Sequence, residues 1–268
     1  MSEQVAAVPT TRARGLYQQV ATLRKDAWWV EPALTVTMLT TFIIYTTWAA
    51  LVNAHYFVDP YLSPFYSPCL STNCAHPTFA LFNWPLSPAI LILWAPAGFR
   101  LTCYYYRKAY YRSFWLSPPA CAVRDGHRVY SGETRFPLLF QNLHRYFFYF
   151  ATIVVLFLWW DALKAFRFPV TPGSHAHTFG LGLGTLVLLA NAALLSLYSF
   201  SCHSCRHLCG GGIDVLSRSP TRLKLWRQVS WLNEHHMLFA WISLVGVMLT
   251  DLYVRLLSMG YISDLRFF

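Results

Sequence analysis

Residues 178–200 read TFGLGLGTLVLLANAALLSLYSF, a run without a charged side chain whose apolar residues face every direction around a helix. A helix that is apolar all round is either deeply buried or lies in a membrane. This run approaches the roughly 20 residues needed to cross about 30 Å of hydrocarbon. Four other runs are similar: Ala33 to Asn53, Pro85 to Tyr106, Tyr146 to Ala165 and Trp231 to Leu257. A soluble helical protein can bury one or two such helices, but five define an all-α, polytopic membrane bundle. Composition agrees, with 12% charged and 56% hydrophobic residues, where soluble domains carry about 25% charged residues. The expected organisation is an arm at 1–30, a five-helix membrane domain at 31–258 and an external tail at 259–268.

The net charge of +10 is unevenly spread. Arg12, Arg14, Arg24 and Lys25 mark the N-terminal arm. Further clusters lie between Arg107 and Arg145 and between Arg206 and Arg227, while His55 to Trp84 holds no Lys or Arg. By the positive-inside rule the N-terminus and the second and fourth connections are cytoplasmic, in a multi-pass protein of the plasma membrane. The first 30 residues lack the short apolar core and small-residue cleavage site of a signal peptide. The basic loops suit orientation and an acidic partner; their distribution does not suit nucleic acid.

Topology sorts the seven cysteines. Cys69 and Cys74 fall in the external loop SPFYSPCLSTNCAHP, where a structural disulfide is permitted. Cys103, Cys121, Cys202, Cys205 and Cys209 fall at the cytoplasmic surface, where burial or metal binding is expected instead. His144, His203, His207, His235 and His236 lie at the same depth. In a continuous helix, Cys202, Cys205 and Cys209 would share one stripe and His203 and His207 another. Either the thiols combine with imidazoles from His144 or His236, or His203 and His207 combine with thiols from Cys121 or Cys103. Singly, a buried cysteine is a small hydrophobe; Cys103 is read that way. Together the set points to a redox metal centre.

Five separated stretches carry a resemblance: TLRKDAWWVEPALTV, FRLTCYYYRKAYYRSFWLSPPACAV, GETRFPLLFQNLHRYFFYFA, SCHSCRHLCGG and LNEHHMLFAW. They resemble the single-chain, five-helix membrane anchor of actinobacterial succinate dehydrogenases, over about Leu23 to Leu257. The resemblance implies a subunit that docks a flavoprotein and an iron–sulfur protein on the cytoplasmic face, with a higher oligomer of the complex left open. It would pass electrons to a quinone, menaquinone in many actinobacteria. Without a flavin or nucleotide motif, the chain alone is expected to be inactive on succinate.

Two-haem anchors of this kind use axial histidines on several helices including the second, yet Pro85 to Arg107 contains none. One haem b between His203 or His207, at the end of the 178–200 run, and His144 or His236 is the alternative cofactor. Two thiolates and two imidazoles instead make the ligand set of a Rieske-type [2Fe–2S] cluster. The shortlist for that set is Cys202, Cys205, His203, His207 and His236, with Cys121 in reserve. His144, Arg145, Tyr146, Trp226 and Arg227 are assigned to a quinone pocket on the same side. Within the spans, Asp251 and Arg255 pair at i, i+4 and are candidates for a proton path, as are Asp161 and Lys164. Two competitors are a haem-b subunit of another membrane oxidoreductase and a non-redox membrane protein with a structural zinc site.

Overall fold

The computed structural model of the chain describes residues 22–69, 80–81, 84–85, 87–126, 134–136, 138–171 and 176–268. The protein is mostly helical. Helices α1 (Val30–Val52), α2 (Pro88–Leu101), α4 (His144–Lys164), α5 (Leu183–Phe200) and α8 (His236–Ser258) build the bundle. The shorter α3 (Tyr104–Ala109), α6 (His203–Gly210) and α7 (Pro220–Glu234) collect at one end. The strands form three small antiparallel hairpins: β1 (Phe57–Val58) with β2 (Tyr61–Leu62), β3 (Ala80–Leu81) with β4 (Trp84–Pro85), and β5 (Arg167–Pro169) with β6 (His177–Phe179).

Four helices among the described residues are long and apolar enough to cross a membrane: α1, α4 with its preceding turn, α5 and α8. The fifth apolar helix, α2, has 14 residues, only about 21 Å at 1.5 Å per residue. The uninterrupted spans expected at 85–106 and 178–200 are both shorter in fact. Cys103 takes an extended backbone after α2, and residues 177–179 pair with β5 before α5 begins. Likewise, the run expected from Trp231 belongs to two helices, with a break at His235 between α7 and α8.

Packing is inverted relative to a soluble domain. Ala49, Ala162, Ala192 and Ser243 are fully buried, whereas Ile43, Ile44, Leu51, Ile153, Leu156, Trp160 and Leu249 are exposed. Small residues let helix backbones approach where lipid supplies no hydrophobic drive between helices. The large side chains then face the lipid. The central pairings are α5 with α8, α4 with α5 and α2 with α4. Gly98 is needed in the last of these, because a Cβ there would collide with the Phe147 ring.

Three polar ties close the end of the bundle away from Arg24. Asp251 accepts from Tyr45 Oη at 2.6 Å, Arg255 Nε at 2.8 Å and Ser63 Oγ. Arg255 also donates to the carbonyls of Ala54 at 2.6 Å and Ala49 at 2.8 Å. Each nitrogen of Arg255 and each carboxylate oxygen of Asp251 thus has a partner, which offsets the cost of burying the pair. Asp264 accepts from Tyr61 and Tyr253, each at 2.6 Å, and from the Gly184 amide at 2.9 Å. The final residues are thus held against the start of α5. Asp161 accepts from Ser67 Oγ at 2.6 Å and lies 3.7 Å from Lys164. Cys69 is disulfide-bonded; Cys74, its expected partner, lies outside the described residues.

Candidate functional site

At the opposite, basic end, four helix termini meet. The chain leaves the helix after Leu101 and again after Phe200, so Cys103 and Cys202 both adopt extended backbone before the next short helix. Cys202 becomes the cap of α6, its Sγ accepting from the Ser204 amide at 3.3 Å. His144 and His236 are the first residues of α4 and α8. All four side chains line one cavity of about 160 Å3, together with Thr102 and His203.

The imidazoles are held in a defined sense. Thr102 Oγ1 donates to the Gly98 carbonyl at 2.7 Å and lies 2.8 Å from His144 Nδ1. When that proton stays on the carbonyl the hydroxyl accepts, and Nδ1 then carries the imidazole proton. Ser201 repeats the arrangement, donating to the Tyr198 carbonyl at 3.1 Å and lying 2.6 Å from His236 Nδ1. In that tautomer both Nε2 atoms present lone pairs. His144 Nε2 lies 2.9 Å from Cys202 Sγ, and His236 Nε2 lies 3.4 Å from Cys103 Sγ. Phe99 stacks on His144 at 4.8 Å and Tyr198 on His236 at 5.2 Å, fixing both ring planes. The Arg100 guanidinium lies 4.6 Å from the Tyr198 ring centroid and donates to Tyr106 and Ser243.

The site differs from the one expected if the helix of residues 178–200 ran on unbroken through Cys209. The break falls on the first two residues of the SCHSC motif, Ser201 and Cys202. It frees Cys202 from the stripe shared with Cys205 and Cys209 and turns it inward. Of the shortlist, Cys202 and His236 enter the constellation and His203 flanks it. Cys205, half-buried, faces Cys209; burial first and then Cys209 push its thiol up to about 12. Burial likewise pushes the Cys202 thiol up to about 12. His203 is held below the usual histidine value by partial burial and then by Arg206. His207 and Cys121 are exposed.

Cys103, read from the sequence as packing, is buried in the apolar core and also lines the cavity, 3.4 Å from His236 Nε2. Its signal was depth: a thiol one residue beyond an apolar helix, level with His144. The expected quinone residues do not surround one space. His144 lines the small cavity, Arg145, Tyr146 and Arg227 are exposed, and Trp226 packs 4.8 Å from the Arg206 guanidinium. Among the described residues, no three Cys, His, Asp or Glu side chains converge around a point as they would for a single metal ion. The donors instead meet as two thiol–imidazole pairs.

The geometry can be set beside known proteins. Residues 30–260 match the family model described as actinobacterial succinate dehydrogenase subunit SdhC. A chain of the solved Mycobacterium smegmatis Sdh1 complex in the apo form is 47% identical, with a TM-score of 0.83 over 97% of this chain and 98% of that one. No curated protein matches the chain. The match spans the bundle and its basic-end constellation together, and the chain belongs to the SdhC family, the membrane subunits of actinobacterial succinate dehydrogenase.

Proposed function

We propose that this subunit holds a [2Fe–2S] centre with mixed ligation at the cytoplasmic end of a five-span bundle, on the electron route to menaquinone. One observation carries the reading: two thiols and two Nδ1-tethered imidazoles line a single cavity. The donor set fits the group. Cys103 and Cys202 would supply the thiolates, and His144 and His236 the Nε2 lone pairs. Such a centre, when bound, accepts and returns one electron at a potential raised by its histidines. Thr102 and Ser201 hold the two imidazoles neutral and aimed, the outer-layer role that hydrogen-bonded partners play at metal sites. Phe99, Tyr198 and Phe148 keep water from the inner side of the cavity. A haem is a poorer fit, since pockets for drug-sized ligands already run to roughly 300–1,000 Å3 and this cavity is about 160 Å3.

Orientation follows from charge. Arg24, Arg107, Lys108, Arg112, Arg145 and Arg206 belong to the segments gathered at the constellation's end, which favours the cytoplasm for that end. Five spans are favoured by direction. The end of α1 lies beside Arg255 at the far end, while α4 begins beside Thr102 and Cys202 at the near one. The α2 region must return the chain between them. The basic face would dock the flavoprotein and iron–sulfur subunits that reduce the centre.

The test is low-temperature electron paramagnetic resonance of the purified complex, dithionite-reduced. A mixed-ligand [2Fe–2S] signal is expected, and its loss in Cys103→Ser with the partner subunits' clusters unchanged assigns it to this chain. A signal insensitive to Cys103, Cys202, His144 and His236 would sink the reading.

A further inference from the structure

Arg100 carries a charge inside the bundle that the donor set above leaves unused. It lies in the last turn of α2, half-buried, next to Phe99, whose ring stacks on His144. A cation in a last helical turn complements the helix dipole, but that role needs no contact with another helix. Arg100 instead reaches α3 and α8. Its guanidinium donates to Tyr106 Oη at 2.9 Å, to Ser243 Oγ at 3.0 Å and to the Ala240 carbonyl at 3.3 Å. It also lies 4.6 Å from the Tyr198 ring centroid and 6.0 Å from that of Phe42.

Every one of these neighbours is neutral. Among the described residues the ion pairs join Arg24 to Asp26, Lys164 to Asp161 and Arg255 to Asp251, so no carboxylate pairs with Arg100. Holding a cation against neutral acceptors and aromatic faces costs hydration that no counter-charge offsets. Position shows where a counter-charge would arise. The Tyr198 ring stacks on the His236 imidazole at 5.2 Å and meets the guanidinium at 4.6 Å, which puts the cation within about 10 Å of that imidazole. Arg107 lines the small cavity itself, but it lies over the exposed Tyr104, where water and salt screen it more.

Two thiolates cancel the 2+ charge of an oxidised [2Fe–2S] core, so an added electron leaves a net negative charge in this apolar end of the bundle. Resting on the centre proposed above, we infer that Arg100 is its charge-compensating residue, whose fixed positive charge favours the reduced state and sets the potential at which this subunit takes an electron. Arg100 exchanges neither electron nor proton. One electron at a time arrives from the partner subunits and passes on to the quinone, while the guanidinium stays protonated throughout. At about 10 Å and an effective dielectric near 20, a unit charge changes a one-electron equilibrium roughly tenfold.

The experiment is a redox titration of the purified complex, followed through the mixed-ligand electron paramagnetic resonance signal. Arg100→Gln keeps an amide donor and removes the charge. It should lower the midpoint potential by about 59 mV, the equivalent of tenfold in a one-electron equilibrium. Arg100→Lys keeps the charge and should stay near the unmodified value. The partner subunits' clusters should titrate unchanged in both. Ser243→Asp sets a carboxylate against the guanidinium and should also lower the potential; it decides the question if Arg100→Gln does not assemble. An unmoved potential in Arg100→Gln or Ser243→Asp, or equal shifts in Arg100→Gln and Arg100→Lys, would overturn the inference and leave the centre standing. A missing mixed-ligand signal in the unmodified complex would sink the centre itself, and the role of Arg100 with it.

Discussion

His144 Nε2 lies 2.9 Å from Cys202 Sγ, although 58 residues separate them in the chain. The contact exists because α5 stops one residue before Ser201 and α4 begins at His144 itself. Its partner contact, Cys103 to His236, spans 133 residues and is made in the same way, by a helix end meeting a helix start. Neither pair is visible as a motif, since all four members come from different helix termini.

The ligand assignment predicts a division among the cysteines and histidines. Replacing Cys103 or Cys202 by Ser, or His144 or His236 by Ala, should abolish the mixed-ligand signal. Cys205→Ser, His207→Ala and Cys121→Ser should retain it. Iron and acid-labile sulfide analysis of the same preparations should show two of each lost per complex in the first group only.

Thr102 and Ser201 act through the imidazoles they hold. Thr102→Val or Ser201→Ala removes the acceptor that fixes each Nδ1 proton, and the freed ring can present the wrong nitrogen. Losses of outer-layer partners typically weaken metal binding about 10–100-fold. Iron retention under chelator challenge should fall in that range, and the midpoint potential should move. Thr102→Ser, which keeps the hydroxyl, should restore both.

The Asp251–Arg255 pair sets a stability test. Arg255→Met leaves a buried carboxylate facing only Tyr45 and Ser63, which should cost roughly 3–5 kcal/mol. Adding Asp251→Asn should recover part of that loss, a coupling expected of groups in contact. Thermal unfolding of the detergent-solubilised complex reads both. Quinone turnover per folded enzyme should stay near normal in the double variant; a selective collapse of turnover would mark these residues as a proton path instead.

Asp264 holds the chain end by three hydrogen bonds to two phenols and an amide. Asp264→Ala should cost about 2–3 kcal/mol, given about 1.5–3 for a single bond to a charged group and the half-exposed position. Limited proteolysis should then remove residues after Met259 faster than in the unmodified protein. The spectra at the other end of the bundle should not change.

Much was legible from one dimension. Membrane crossing depends on the length and continuity of apolar runs, so α1, α4, α5 and α8 could be located within a few residues. Depth could be read as well: once charge orients the spans, Cys202, His144 and His236 must lie near one surface. Pairing could not be read, because it depends on where each helix ends. The breaks after Leu101 and Phe200 lie in apolar or small-residue sequence without proline or glycine, and tertiary contacts at Thr102 and Ser201 hold them. Sequence alone thus determined a helical membrane protein with soft metal donors gathered at its basic end. Only the tertiary structure decided that Cys103 lies with them around one cavity and that Cys205 and His207 do not. Composition records which groups share a depth, whereas hydrogen bonds and ring stacking between distant segments choose which of them face each other.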